Sequence, residues 1–151
     1  MSSGYLKLLL LKAMNFYSRK LIKPEDLNPN NTLFGGSLLR WIDEEAAIFA
    51  ICQLNTDKLV TKFISEINFI NTARAGDIIE MGMEVIKFGT SSITFKCLVR
   101  NKFNKKQIIT IDKIVFVHVD ENGRPKAHGV ITATEPESEP EPEPQPVQFH
   151  N

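Results

Sequence analysis

The sequence has 151 residues, 42% of them apolar, and its 18 basic and 18 acidic side chains give a formal net charge of zero. This composition is typical of one globular domain with a core of its own. No apolar run approaches the roughly 20 residues that cross a bilayer, and no basic–aromatic alternation indicates a nucleic-acid surface. We therefore predict no membrane-spanning segment and no nucleic-acid partner.

The zero net charge conceals an uneven distribution along the chain. Five acids lie in a C-terminal stretch without Lys or Arg, namely Glu135, Glu137, Glu139, Glu141 and Glu143. Residues 1–134 therefore carry five more basic than acidic side chains, which is compatible with a small phosphorylated ligand. Because the acids alternate with prolines and almost nothing apolar is present, we predict a disordered tail over residues 134–151. An acidic interaction segment is the alternative.

The first residues, 1–18, are predicted to form an arm. They contain the apolar run YLKLLLLKAM, which is short and is interrupted by Lys7 and Lys12. No small-residue cleavage site follows this run, so a secretory signal is the less favoured interpretation.

A single domain is predicted over residues 19–133. A short strand near Arg19 to Ile22 comes first, and the segment GGSLLRWIDEEAAIFAICQL then reads as one long helix with no breaker after its glycines. Its apolar residues fall on every helical face, which is typical of a helix covered by other structure. Strands with period-two alternation follow over about 61–69, 79–85, 93–100 and 107–119.

One helix followed by hairpin-connected strands, each apolar on one face, predicts an α+β domain. The economical packing is a curled antiparallel sheet wrapped around the central helix, and this arrangement is the hotdog fold.

The two cysteines, Cys52 and Cys97, form no C-x-x-C motif and have no His at metal-ligand spacing. Both fall at positions predicted to be buried, where free thiols usually lie. Two such thiols without a disulfide framework indicate a reducing, cytoplasmic location and no metal site.

Three acids, Asp43, Glu44 and Glu45, stand within the apolar helix. They cannot share one face, because successive helical residues point about 100° apart. Asp43 belongs to an otherwise apolar stripe, together with Leu39, Ala46 and Ala50. A carboxylate among such neighbours is costly to bury without hydrogen bonds, and such carboxylates concentrate in active sites. Asp43 is therefore the candidate catalytic acid, with the two glutamates in reserve, and an acid that faces solvent is the alternative.

Gly35 and Gly36 open the same helix. A helix start presents unpaired N–H groups and a positive dipole end, and glycines let a ligand approach the backbone. The pair is a candidate oxyanion site, and a tight turn into a crowded helix is the alternative.

Three segments, NPNNTLFGGSLLRWIDE, FINTARAGD and FGTSSITFKCLV, resemble the hotdog-fold acyl-CoA thioesterases, in particular the YciA-type acyl-CoA thioester hydrolases. The resemblance covers about residues 20–128. It implies a substrate- or water-orienting role for Asn28, a catalytic carboxylate at Asp43, and a thioester-polarising amide at Gly36. It also implies contacts with coenzyme A (CoA) at Phe34, Gly35, Gly89, Thr90, Ser91 and Ser92. The sequence departs from the family pattern at Asn31 and Ser37.

The positions of Gly36 and Asp43 bear on assembly. They are seven residues apart, which is roughly 10 Å along a helix axis, so one thioester carbon cannot lie about 3 Å from both. We therefore expect a homodimer with shared active sites, and the resemblance implies further assembly into a trimer of dimers. No cofactor is expected beyond CoA as part of the substrate.

The CoA phosphates have a further candidate site at one hairpin. Five basic side chains cluster there, Lys96, Arg100, Lys102, Lys105 and Lys106, although a solvated hairpin tip fits them equally well. Two other functions stay open. One is a non-hydrolytic acyl-CoA or acyl-carrier-protein binding module, and the other is a 3-hydroxyacyl-thioester dehydratase. The dehydratase is disfavoured because neither His118 nor His128 has an acid at recognisable spacing.

Overall fold

The computed structural model describes residues 14–130. Most of the predicted arm and the whole predicted tail lie outside these residues. The described elements are β1 (Asn15–Leu21), a short 3-10 turn (Pro24–Asp26), α1 (Gly35–Leu54), β2 (Leu59–Ile64), β3 (Ile67–Phe69), β4 (Ile78–Phe88), β5 (Ser92–Asn101) and β6 (Gln107–His118). Within residues 14–130, no helix is both long and apolar enough to span a membrane.

The six strands form one antiparallel sheet in the order β1-β4-β5-β6-β2, and β3 pairs with β6 beside β2. The long β4, β5 and β6 are consecutive hairpins, so the centre of the sheet is built from neighbours in the sequence. Helix α1 packs across one face of this sheet. The predicted α+β hotdog architecture is confirmed.

The core lies between α1 and the helix-facing side of the sheet. The predicted core-facing residues Ile79, Met81, Met83, Ile93, Phe95, Cys97 and Val99 are buried. The predicted alternation of buried and accessible residues is confirmed in β5, whereas in β4 Glu80 and Gly82 on the other face are buried as well. Phe95 is at the centre, with its ring centroid 5.0 Å from that of Phe49 on the helix and 5.8 Å from that of Phe116 on β6. Each fully buried side chain of this size contributes about 1.5–3 kcal/mol.

Three local predictions differ from the structure. The first strand begins at Asn15 and not near Arg19, because its outer residues also find partners on β4. The strand predicted over 61–69 is divided into β2 and β3 at Ser65, whose hydroxyl accepts a hydrogen bond from the Lys113 N–H and interrupts the regular ladder. Cys52 is exposed and not buried, because α1 is covered by the sheet on one side only.

A buried acid on the opposite face of the sheet was not predicted. Glu80 of β4 alternates with core residues and should face solvent, yet it is only 3% exposed. Arg100 of β5 donates a hydrogen bond to its carboxylate at 2.8 Å, and the Lys105 ammonium lies 3.4 Å away. Burial pushes the pKa of Glu80 upward, but the hydrogen bonds from these two cations outweigh it, so the pKa lies below its ordinary value of 4.5.

Glu80→Gln should therefore lower the Tm at neutral pH. Removing the only counter-charge of a buried site costs about 2 kcal/mol when its cations are partly solvated, which is roughly 5–10 °C for a domain of this size. Because the folded-state pKa is depressed, the stabilisation is present above pH 4.5 and is lost as the pH falls through the folded-state value. The Tm difference from wild type should shrink accordingly below that pH in thermal scans. Glu84→Gln, which loses a more exposed pair with Lys96 on the same sheet face, is the control and should change the Tm little.

Candidate active site

The start of α1 provides free backbone donors. Phe34 is the N-cap residue and offers no side-chain cap, and the first intrahelical bond runs from the Leu38 N–H to the Phe34 carbonyl at 3.2 Å. Among the described residues, the N–H groups of Gly35, Gly36 and Ser37 have no backbone acceptor. Gly36 is solvent-exposed, so its amide is available to a ligand oxygen.

Two aromatic side chains lie beside the glycines at this helix start. A Cβ added to Gly36 would lie 2.6 Å from the Phe34 ring, and one added to Gly35 would lie 3.4 Å from the Phe69 ring. Both rings are more than half exposed, at 54% and 56%. A cleft of about 350 Å³ opens beside them and is lined by Leu33, Leu38, Phe69, Ile70, Asn71, Thr72, Ala73 and Ile108. Leu33 and Leu38, which flank the glycines in the sequence, both line this cleft, so it opens near the amide donors.

Asn28 organises the loop that leads into the helix. Its Oδ1 accepts hydrogen bonds from the N–H groups of Asn30 at 2.9 Å and Thr32 at 3.2 Å. Both donors are backbone amides, so the orientation of the side-chain amide is fixed by chemistry. The Nδ2 group donates to the Thr32 hydroxyl at 3.0 Å, which leaves its second hydrogen for a substrate. The orienting role predicted for Asn28 stays a prediction, and the structure adds a role in shaping the loop.

Asp43 lies on α1 at the side that faces β2. Thr61 of β2 donates a hydrogen bond from its hydroxyl to Asp43 Oδ1 at 2.9 Å. The expectation that Asp43 is buried is wrong for the single chain: the residue is exposed, because β2 is the edge strand and no other element within residues 14–130 covers this side of the helix. Thr61 nevertheless fixes one oxygen of the carboxylate. The other oxygen, Oδ2, accepts no hydrogen bond from any residue within 14–130.

Thr61 was not singled out from the sequence. Threonine is common in strands, so its type carries no signal, and only the packing of β2 against α1 shows that it reaches Asp43.

The reserve candidates are less suited to catalysis. Glu44 is exposed on the outer face of α1, away from Thr61. Glu45 points to the β1 side, where it lines a cavity of about 130 Å³ with Tyr17 and Cys52. Burial, with a smaller contribution from the Glu45 charge, raises the pKa of the Cys97 thiol to about 12, so that thiol is a core residue and not a nucleophile.

The hairpin turn formed by Gly89, Thr90, Ser91 and Ser92 is tight and is fixed by backbone hydrogen bonds. The Gly89 N–H donates to the Ser92 carbonyl at 2.8 Å, and a Cβ on Gly89 would collide with the Ser92 hydroxyl. The Ser91 carbonyl accepts from the His118 N–H at 2.7 Å, and the Thr90 carbonyl accepts from the His128 N–H at 3.1 Å. Thr90 itself is exposed to solvent.

The candidate residues of one chain are not brought together. Leu33, before the helix start, donates its N–H to the Ala73 carbonyl at one end of the sheet. The helix ends at Leu54, and Leu59 pairs with His118, which is bonded to the 89–92 hairpin. The hairpin and Gly36 therefore lie at opposite ends of a 20-residue helix, roughly 30 Å apart, with Asp43 between them.

Both described histidines are structural. His118 Nδ1 lies 2.9 Å from the Lys126 carbonyl, and His128 Nε2 lies 3.1 Å from the Ser92 carbonyl. Neither contacts a carboxylate among the described residues. In that same part of the chain, no group of three or more His, Cys, Asp or Glu is arranged to hold a metal ion.

The basic side chains of the β5–β6 region lie on the sheet face opposite α1. Arg100 pairs across the strands with Glu80, whereas its neighbour Val99 pairs with Met81 in the core. Lys96 forms a salt bridge with Glu84 at 3.3 Å, and Lys102 and Lys105 lie around Glu80. The structure thus separates this group from the helix start and from Asp43 of the same chain.

Known proteins share this architecture. The model of the thioesterase superfamily matches residues 30–107, just over half of the chain. The chain belongs to the thioesterase superfamily. An uncharacterized acyl-CoA thioester hydrolase of Haemophilus influenzae is 32% identical over 114 residues, which cover 72% of this chain and 73% of the relative.

Two solved thioesterase structures are similar along most of the chain. A hexameric thioesterase from Yersinia pestis has a TM-score of 0.70 at 28% identity and covers 78% of this chain and 97% of its own. An acyl-CoA hydrolase from Staphylococcus aureus, solved in complex with butyryl-CoA, CoA and CoA disulfide, has a TM-score of 0.66 at 30% identity. The alignment covers 73% of this chain and 66% of the Staphylococcus aureus chain. The predicted resemblance to hotdog-fold acyl-CoA thioesterases is confirmed by this thioesterase membership.

Proposed function

We propose that this thioesterase hydrolyses acyl-CoA thioesters to CoA and a carboxylic acid, in active sites that are each built from two protomers. The observation that carries the proposal is the separation of these groups within one chain. The amide donors of Gly36 and the carboxylate of Asp43 lie too far apart on one helix to act on one bond, and the 89–92 hairpin lies near the other end of that helix. A second protomer with its helix antiparallel brings the start of one α1 next to the middle and end of the other.

The start of α1 is proposed to bind the thioester carbonyl group, which is the electrophile of the reaction. The thioester carbonyl oxygen becomes negative when the carbon is attacked, and donors that are already aligned stabilise this charge. The free N–H of Gly36 and the positive dipole end of the helix meet this requirement. Phe69 lines the nearby cleft, and a partner protomer that covers this cleft would exclude water from the oxygen and thereby strengthen the hydrogen bond.

The proposed base or nucleophile is Asp43 of the partner helix. The Thr61 hydroxyl binds Oδ1, which leaves Oδ2 without a hydrogen-bond partner among the described residues and available to water or to a substrate. Oδ2 either removes a proton from water or attacks the carbonyl carbon, and the thiolate of CoA leaves in both routes. The free Nδ2 hydrogen of Asn28 orients the water or the carbonyl. CoA enters as part of the substrate, and no other cofactor takes part in the proposed steps.

Exposed apolar side chains on α1 and β2 support a two-fold contact through these two elements. On α1, Ile48 and Ile51 are 48% and 37% exposed, and on β2, Val60 and Phe63 are 46% and 50% exposed. Large apolar side chains exposed on adjacent elements are typical of surfaces that bind another protein. A dimer formed through α1 and β2 covers them, removes the open edge of β2, and encloses Asp43. Assembly of such dimers into a hexamer is proposed from the hexameric relative.

The 89–92 hairpin is proposed to contact the pantetheine or phosphate part of CoA bound mainly to the neighbouring protomer. Its location at the end of α1 places it beside the helix start of an antiparallel partner. Its Thr90 side chain and backbone groups are compact polar partners for such a chain.

The dehydratase alternative is weakened by the geometry, because that chemistry needs a His beside an acid and both described histidines are bonded to backbone carbonyls. A cytoplasmic location is proposed from chemistry alone. Cys52 is a free, exposed thiol and Cys97 is a free, buried one, which suits a reducing compartment.

Asp43→Asn should abolish most thiol release while leaving CoA binding intact. The change keeps the shape and the acceptor for Thr61 but removes the base, which typically costs 10²–10⁴-fold in kcat. Thiol release from acyl-CoA substrates of several chain lengths, together with CoA titration by calorimetry, measures both effects. Glu44→Gln removes the adjacent exposed acid and should keep wild-type rates. Undiminished hydrolysis by Asp43→Asn would refute the assignment, and CoA binding without hydrolysis by the wild type would favour a binding module.

Thr61→Val should lower kcat about tenfold with little change in KM, because it removes one hydrogen bond to a charged group while keeping side-chain volume. Thr61 acts through Asp43, so Thr61→Ser, which retains the hydroxyl, should restore most of the rate. Steady-state kinetics on purified, folded variants distinguish these results. Equal losses in the Val and Ser variants would show that Thr61 contributes packing and not positioning.

A further inference from the structure

A group of four cations surrounds Glu80 on the sheet face opposite α1. Arg100 Nε is 2.8 Å and Lys105 Nζ is 3.4 Å from Glu80 Oε1, while Arg19 Nε and Lys102 Nζ are each 3.9 Å from Oε2. The Glu80 side chain is 4% exposed, whereas those of Arg19 and Lys105 are 65% and 50% exposed. We call Arg19, Glu80, Arg100, Lys102 and Lys105 the Glu80 cluster.

The charges of the Glu80 cluster do not balance. Four cations share a single carboxylate, so three positive charges are left over. Among residues 14–130, no second carboxylate makes a salt bridge with any of the four. The Lys105 ammonium is so close that it lowers the pKa of Lys102. Like charges held together in this way repel each other unless an anion lies among them.

The two lysines are held in place by an ordered turn and not by a loose hairpin tip. The buried Asn101 side chain accepts hydrogen bonds from the N–H groups of Phe103 at 2.9 Å and Asn104 at 3.2 Å. The Lys102 N–H donates to the Ile78 carbonyl at 2.8 Å, and Lys105 adopts a left-handed backbone with φ 61°. Left-handed backbone is unfavourable for lysine, so the turn holds its side chain over Glu80 at a conformational cost.

The guanidinium of Arg100 is fixed as well. Its carbon lies 3.7 Å from the centroid of the Phe16 ring, and its Nε is bonded to Glu80. The buried Glu80 carboxylate thus orients arginine and lysine donors whose outer parts remain accessible to solvent. Arginine and lysine donors bind anionic oxygen groups through charge-assisted hydrogen bonds.

We propose that the Glu80 cluster is a binding site for a phosphate-type anion, with the exposed Arg19 and Lys105 and the partly exposed Lys102 as its donors and Glu80 as the residue that positions them. A compact dianion has several acceptor oxygens and offsets most of the surplus charge, which a single carboxylate does not. The site lies on the sheet face away from Asp43 and Gly36 of its own chain. It therefore does not depend on the proposed hydrolytic chemistry.

The anion has two possible sources, the phosphorylated nucleotide end of a CoA molecule bound elsewhere in the assembly and a free phosphate compound. Calorimetric titration of the full chain at low salt with pyrophosphate, adenosine 3′,5′-bisphosphate, CoA and dephospho-CoA separates them. The test variant is Lys102→Met/Lys105→Met, in which Arg100 still neutralises Glu80. The matched control is Lys96→Met, since Lys96 lies on the same face with a carboxylate partner of its own.

The wild type should bind pyrophosphate and the bisphosphate with an affinity that falls as salt rises. The double variant should bind them at least about tenfold more weakly, because two charge-assisted contacts are lost, and Lys96→Met should match the wild type within about twofold. If the source is CoA, the double variant also loses the preference for CoA over dephospho-CoA. If the source is a free compound, CoA affinity is unchanged while pyrophosphate binding is lost.

Equal affinity of the wild type and the double variant for the phosphate probes would overturn the proposal, as would the absence of binding to the wild type. Should the double variant fail to fold, Lys105→Met alone, at a half-exposed side chain, replaces it with the same expected direction. These readouts do not require hydrolysis. An inactive protein that binds the anions would contradict the proposed function only, and an active protein that does not bind them would contradict this inference only.

Discussion

The rigidity of α1 is the constraint on which the rest of the structure depends. A 20-residue helix packed on Phe95 and its neighbours cannot bend, so it fixes the separation of the groups that stand along it. Gly36 at its first turn, Asp43 two turns later and the 89–92 hairpin near its end are held at set intervals. None of these intervals is short enough for a reaction at one carbon. The fold of one protomer therefore holds the groups of the proposed site without bringing them together.

The uneven covering of the helix follows from the same geometry. The sheet covers one side of α1 and leaves Ile48 and Ile51 in contact with solvent in the single chain. Thr61 holds the Asp43 carboxylate at the edge where α1 meets β2. An exposed apolar helix surface and an open strand edge are both unfavourable in a monomer and suitable for a dimer. Stability and the proposed catalysis thus both favour a second protomer packed on α1 and β2.

Much of the fold followed from the sequence, because alternation in β4 and β5 and the unbroken helical segment are local patterns with direct physical causes. The burial of Glu80 and the exposure of Cys52 did not follow. Glu80 is buried by long side chains that arrive from β1 and from the β5–β6 turn, and such contacts between distant segments leave no periodic signal. Thr61 was missed for the same reason. Asp43 stood out because an acid on an apolar stripe is locally inconsistent, yet its exposure depends on which edge of the sheet is open.

Subunit exchange between two inactive variants tests the shared site most directly. Asn28→Asp keeps the acceptor that ties the loop but removes the Nδ2 donor, and Asp43→Asn removes the carboxylate. In a randomised equal mixture, half of the dimers are mixed and each contains one intact site, so thiol release should return to about a quarter of the wild-type rate. If native mass spectrometry verifies the exchange and the mixture stays as inactive as its components, the two groups act within one chain and the account is wrong.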